Sequence, residues 1–469
     1  MEKLPMNESV RPMQLVWFRD DLRTTDNPAL ASALSSGPVM ALFILDEKSP
    51  GIRALGSASK WWLHHSLESL QESLAEIGIP LILRQGPAET AIREIVEQSQ
   101  TRAVHWNRRY GHAERMVDAQ IKAELNAAGI PTRSHAGTLL HEPWELLTKN
   151  GTGYKVFTPF YNALRDSEIR PPLPSPAPQQ PIAAGQLPSS DALDSLELLP
   201  NAATWTEGLA QRWEPGEPAA RERFQCVLES IAGNYPETHD RPDLDGTSAL
   251  SPALRWGHLS AHELWDALGR LASAHPQCAD GATAMRRQLA WRDFCWHLYY
   301  HHPQLPDRNL RSNFDHFDWA WPEQDARIAQ QVRLWQQGRT GFGLVDAGMK
   351  QLWQTGWMHN RVRMVAASLL VKNLQVHWKV GERWFWDTLV DADIASNSAN
   401  WQWVAGSGAD AAPYFRVFNP ELQAKKFDPQ GSYVAHFAPL AAEPIVDLKQ
   451  SRLDALEAYE QMKLRPGAI

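Results

Sequence analysis

Before residue 107 the chain carries four short apolar runs separated by helical stretches, and no other feature restricts its fold so much. Gln14–Phe18 (QLVWF), Pro38–Asp46 (PVMALFILD), Pro80–Leu83 and Ala103–Trp106 read as strands. Such unbroken apolar character belongs to strands buried on both faces. Between the second and third runs, Trp61, Leu63, Leu67, Leu70, Leu74 and Ile77 recur at helical spacing across Ser57–Ile77. Strands alternating with helices specify a parallel sheet covered on both sides, an α/β, Rossmann-like domain. Its expected extent is residues 12–145. No GxGxxG follows the first run and no GxxxxGK(S/T) occurs anywhere, so this sheet does not read as a dinucleotide or nucleoside triphosphate site.

Residues 171–218 then turn rich in Pro, Ala, Ser and Gln, beginning PPLPSPAPQQP. So long a connection is unusual inside one compact domain and marks a boundary, with 146–218 expected as linker. From residue 219 to 469 the periodicity is almost wholly helical, which predicts an all-α second domain. A chain of 469 residues is in any case too long for one ordinary core.

Composition narrows the setting. No apolar run is long enough to span a bilayer, and the N-terminus lacks the pattern of a secretory signal, so a cytoplasmic protein is expected. Cys226, Cys278 and Cys295 show no CxxC spacing, which argues against structural zinc and an all-cysteine iron–sulfur cluster. The net charge of −8 argues against coating nucleic acid by overall charge but leaves room for a local basic groove. No coiled coil is evident, so a monomer is expected. Tryptophan is over-used, 21 against 9 tyrosines and 14 phenylalanines, which invites a role beyond packing.

Four clusters in the helical half could carry chemistry. Thr247–Ser251 (TSALS) after Asp245-Gly246 is either a plain helix cap or an anion site built from free N–H groups and hydroxyls. Gln288–Phe294 (QLAWRDF) leads to His297 and His301, which share a helix face with Asp293; without a clear third ligand, metal is disfavoured. In Gly356–Met364 (GWMHNRVRM), Arg361 and Arg363 point to different faces, so one could meet a phosphate and the other a carboxylate, unless both are simply solvated. Asp391–Trp403 (DADIASNSANWQW) sets Asp391, Asp393 and Asn397 in an apolar, tryptophan-rich stretch. Buried polar groups need partners, and either helix caps or a flat heteroaromatic ligand would provide them.

Together with LVWFRDDLRTTDNPAL near the start, YKVFTPF at Tyr154–Phe160, TSALSPALRWGHLS, WRDF and DAAPYFRVFNP, these clusters stand in an order that resembles the photolyase/cryptochrome family over nearly the whole chain. The likeness is greatest to its class I cyclobutane-dimer photolyases. That resemblance implies a deoxyribodipyrimidine photolyase, a carbon–carbon lyase that passes an electron from photoexcited reduced FAD to a flipped-out pyrimidine dimer in DNA. It implies that Tyr235, Thr247, Ser248, Ala249, Leu250 and Ser251 contact the FAD phosphates and ribityl chain, that Arg363 pairs with Asp391, and that Asp393 and Asn397 lie at the flavin. Gln288, Trp291, Asn360, Met364 and Trp403 would line the lesion pocket, and Arg292, Arg361 and Arg416 would hold DNA phosphates with Gln423 nearby. Trp401, Trp378 and a third indole would pass electrons to oxidised flavin; Trp319 is the choice, with Trp321 close by.

Departures from the family pattern matter as much. Gln288 replaces the usual Glu, which predicts altered efficiency or lesion preference. Asn360 and Met364 stand where (6-4) photolyases carry histidines, which disfavours that chemistry. Arg241 is shifted from the family's arginine, whose place His239 takes. Glu114 and Arg115 fit part of a folate motif, but Ala113 replaces its asparagine, so a folate, a deazaflavin or no antenna chromophore all stay open. The rival readings are a cryptochrome-type receptor and a flavoprotein that makes no use of light. The few residues after the last motif favour repair over signalling.

Overall fold

The structure, a computed structural model, describes residues 12–199, 205–411, 413–414 and 416–465. The first strand, β1 (Gln14–Phe18), is buried along its whole length. It pairs in parallel with β2 (Val39–Leu45), Gln14 opposite Val39, and on its other side with β4 (Ala103–Asn107), Gln14 opposite Ala103. Adding β3 (Leu81–Gln85) and β5 (Thr132–His135) gives a parallel sheet in the order β3-β2-β1-β4-β5. Alternate side chains feed two cores. Val16, Phe18, Ala41 and Phe43 pack with Leu30 and Trp61 on one face; Leu15, Trp17, Met40 and Leu42 pack with Ile92 and Ile121 on the other.

The sequence reading found four of these strands and missed β5. Its residues, TRSH, are only partly buried. An edge strand has one neighbour and needs no apolar run, so hydropathy carries no trace of it. Within the segment expected as linker, Phe157–Arg165 forms a helix whose Phe157, Phe160, Tyr161 and Leu164 enter the core of the helical half.

Among the described residues the elements of that half are helices, with a single bridge between Ala320 and Val376. A 23-residue helix, Ala279–His301, packs against Ala261–Ala274 and Ile394–Ala405. A second core gathers Gly343–Thr355, Asn360–Ser368 and Trp378–Thr388 around Trp335, Trp378 and Trp401. The Ile394–Ala405 helix ends at Gly406 in the left-handed region, and its Ala405 carbonyl accepts from Lys372 Nζ at 2.9 Å. Among the described residues no helix is long and apolar enough to cross a membrane.

Candidate active site

The DADIASN stretch lies buried where Trp378–Thr388 and Ile394–Ala405 meet. Arg363 Nη2 bonds Asp391 Oδ2 at 2.8 Å, and its Nε donates to the Met358 carbonyl at 2.7 Å. Among the described residues, buried Asp391 Oδ1 has no partner. Asp393 caps the Ile394–Ala405 helix through the Ser396 N–H (2.6 Å) and accepts from Trp296 Nε1 (3.0 Å), so both its oxygens are engaged inside the protein. Asn397 Nδ2 donates twice to Glu382, to the carboxylate at 2.9 Å and the backbone carbonyl at 3.0 Å. Among the described residues, Asn397 Oδ1 accepts nothing.

The TSALS segment is a loop ahead of a short helix that begins at Ser251 with Pro252 next. No side chain caps that helix, so the plain-cap reading loses its basis. Arg223 holds the loop instead, through the carbonyls of Thr247 and Ser248, each at 2.9 Å. Ala249 sits at φ +52, Leu250 precedes the helix, and Ser251 Oγ accepts from Trp357 Nε1 at 3.1 Å. Tyr235 stacks on His239 at 4.9 Å, and burial pushes its hydroxyl up to about 12.

A more exposed layer lies on neighbouring helices. Gln288 and Asn360 face solvent, while Trp291, Met364, Trp403 and Gln423 are half-buried. Trp291 stacks flat on Phe157, with centroids 3.6 Å apart. Arg361 is held by Asp240 at 2.6 Å and lies over Phe427. Arg292 turns inward to the Thr138 carbonyl (2.9 Å) and Asp293 (3.3 Å). Arg241 is taken by Asp243, whereas Arg416 is exposed. Asp293, His297 and His301 each bond within the protein, to Leu140 N–H, Tyr154 N–H and the Pro143 carbonyl. Burial holds His297 at about 3, hence neutral, and raises Asp293 to about 6.

The indoles form a graded set. Trp401 is 3% exposed and packs edge-on against Phe385 (5.0 Å) and Trp335 (6.2 Å). Trp378 is fully buried and donates to Asn309 Oδ1 at 2.9 Å. His377 lies against Trp378 (5.4 Å) and also against Trp319 (5.4 Å) and Trp321 (4.4 Å), so both candidate outer indoles reach the same imidazole.

Residues 14–179 match the family model described as DNA photolyase, and residues 285–443 match that of the FAD binding domain of DNA photolyase. A deoxyribodipyrimidine photo-lyase of Agrobacterium fabrum is 45% identical over 91% of this chain and 86% of its own length. The chain belongs to the photolyase/cryptochrome family. Its likeness extends to Cryptochrome-1 of Arabidopsis thaliana, 33% identical over 91% of this chain and 62% of its own length. Among solved structures, a class III photolyase from Agrobacterium tumefaciens is 39% identical with a TM-score of 0.92, covering 99% of this chain and all of that one. The expected tie to class I enzymes gains no support from a neighbour described as class III.

FAD is the cofactor of this photolyase/cryptochrome fold, and the residues present fit it. Leaving a buried acceptor unpaired costs roughly 1–3 kcal/mol, and a flavin's N–H and hydroxyl donors would satisfy Asp391 Oδ1. Open parallel sheets bind ligands at the strands' carboxyl ends where the strand order reverses, which in this sheet is where β1 separates β2 from β4. Here Arg19 lies on Trp17 and bonds Asp118 at 2.6 Å and the Asn107 carbonyl, while Arg115 covers Tyr300 at 4.2 Å. Sequence reading missed Glu382, Asp240 and Trp296, each of which touches an expected site residue without standing in a quoted motif; Trp357 lay inside GWMHNRVRM but was given no role.

Proposed function

We propose that this protein repairs cyclobutane pyrimidine dimers in DNA under blue light. One observation carries the reading: buried Asp391 and Asn397, with half-buried Arg363 bonded to Asp391, stand on or beside the same packed helices that carry half-buried Trp291, Met364 and Trp403. FAD, bound and reduced, supplies the electron that light delivers to the dimer. Everything else falls to the chain. Arg363 and Asp391 fix one polar edge of the cofactor site and Asn397 another, while Thr247–Ser251 offer the loop for its phosphates.

A base inside a duplex is out of reach, so the lesion must be extruded, which costs least where stacking is already broken. Trp291 and Trp403 then offer stacking faces, each worth roughly 1–3 kcal/mol. Asn360 and Met364 line the mouth. Arg416 meets phosphate without reading sequence, and Arg361 does so once the strand displaces Asp240. Trp401, Trp378 and Trp319 form the route by which oxidised cofactor is restored. We place the protein in the cytoplasm as a monomer. A folate or deazaflavin remains the candidate antenna.

Binding tests the reading. Oligonucleotides with one dimer should bind more tightly than undamaged ones, and Met364→Ala and Trp403→Ala should erase the difference. Equal affinity of the unaltered protein for both would remove the lesion pocket. A receptor of the cryptochrome type is the second reading, favoured by the likeness to Cryptochrome-1 and by Gln288 in place of Glu.

A further inference from the structure

The segment after β2 docks on the Trp378–Thr388 helix of the other half. Ala54 O accepts from Trp386 Nε1 at 2.9 Å, and Ser57 N–H and Oγ both donate to Asp387 Oδ1, at 2.9 and 2.8 Å. Gly56 lies so close that a Cβ there would sit 2.1 Å from the Trp386 carbonyl oxygen. In the middle of this dock Arg53 lies over Trp386 at 4.1 Å and grips Glu382 with two bonds, 2.7 and 3.1 Å. Glu382 is 2% exposed. The oxygen that takes the shorter of those bonds, Oε1, also accepts from Asn397 Nδ2.

We propose that Arg53 is a positioning residue for the Asn397 amide, so that domain docking sets which face the amide offers to the flavin. The proposal rests on the reading that Asn397 faces the cofactor. An amide has two N–H donors, and Glu382 takes both, through its side chain and its carbonyl. Turning the amide over would set Oδ1 against two oxygens, so the carbonyl end is left for the cofactor. Bidentate pairing with a guanidinium fixes a carboxylate in direction as well as charge. Without Arg53, a nearly buried carboxylate has lost its counter-charge and must rotate or take up a proton. Either event weakens the side-chain bond to the amide and leaves the backbone carbonyl as its steady anchor.

The test uses FAD-loaded protein and reads the rate at which photoreduced flavin reoxidises in air in the dark, with flavin content measured for every variant. Asn397→Ala should change this rate. Arg53→Met should change it in the same direction by about tenfold, the effect of losing one charge-assisted hydrogen bond. Arg53→Lys should restore part of the change, Glu382→Gln should mimic Arg53→Met, and the double variant should add nothing. Asp387→Asn alters the neighbouring Ser57 contact but leaves the Arg53–Glu382 pair in place, and should keep the original rate. An Arg53→Met rate equal to the original, with Asn397→Ala altered, overturns the proposal and leaves the Asn397 reading standing. If Asn397→Ala is also unchanged, that reading fails and takes the proposal with it. Where Arg53→Met does not hold flavin, Arg53→Lys decides: an unchanged rate overturns the proposal, and an altered one supports it.

Discussion

Gly381 touches Trp401, an indole of the proposed electron route. A Cβ built there would lie 2.1 Å from Trp401 Cη2 and 2.5 Å from its Cζ3. Carbon atoms in contact sit about 3.5 Å apart, so Gly381→Ala forces a displacement of about 1.4 Å. Trp401 has nowhere to go, being 3% exposed between Phe385 and Trp335. Overpacking of this kind costs about 1–3 kcal/mol, and alanine's better helix propensity returns about 1 kcal/mol. The net loss is therefore about 0–2 kcal/mol. Displacement of the ring should show more clearly than the stability does, as slower light-driven reduction of oxidised flavin with an external reductant. A double-mutant cycle isolates the cause. Phenylalanine lacks Cη2, so Trp401→Phe should suppress the cost of Gly381→Ala. Additive effects on melting, or an unchanged photoreduction rate in Gly381→Ala, would refute the packing argument.

Trp378→Phe should abolish photoreduction while leaving dark binding to dimer-containing DNA intact; of the outer pair, Trp319→Phe should slow it more than Trp321→Phe, and the reverse would reassign the third indole. Melting should fall as pH drops from 6.5 towards 4, because burial holds His258 and His359 at about 4 and His377 at about 3. The folded state binds fewer protons than the unfolded one in that window, so stability present above pH 6.5 is lost, roughly 3 kcal/mol at most for fully buried His258. Asp293, raised to about 6, works the other way below pH 6 and offsets part of this; a flat melting profile across the window would show that the histidines are accessible. Gln288→Glu should change the rate of dimer repair, and identical rates would make the substitution irrelevant.

How much could be read from the chain depended on whether the signal was local. β1 to β4 were legible because strands buried on both faces need unbroken apolar runs, and β5 was not because an edge needs none. The Arg363–Asp391 pair lay inside recognisable motifs, so resemblance gave both partners before the geometry did. Glu382 and Arg53 were invisible for the opposite reason. Each is an ordinary charged residue in its own neighbourhood, and its partner is 329 positions away. The arginines show a further limit: a motif marks Arg361 and Arg292, yet only the fold reveals that one is held by Asp240 and the other faces Thr138.

The central claim is repair, and the most direct measurement is dimer loss. Photoreduced, FAD-loaded protein is mixed with single-stranded DNA carrying cyclobutane pyrimidine dimers, and the dimers are counted after blue light and after the same time in darkness. Dimers should be lost in the light and persist in the dark. No loss in the light, with reduced FAD shown to be bound, would contradict the claim and put the receptor reading first.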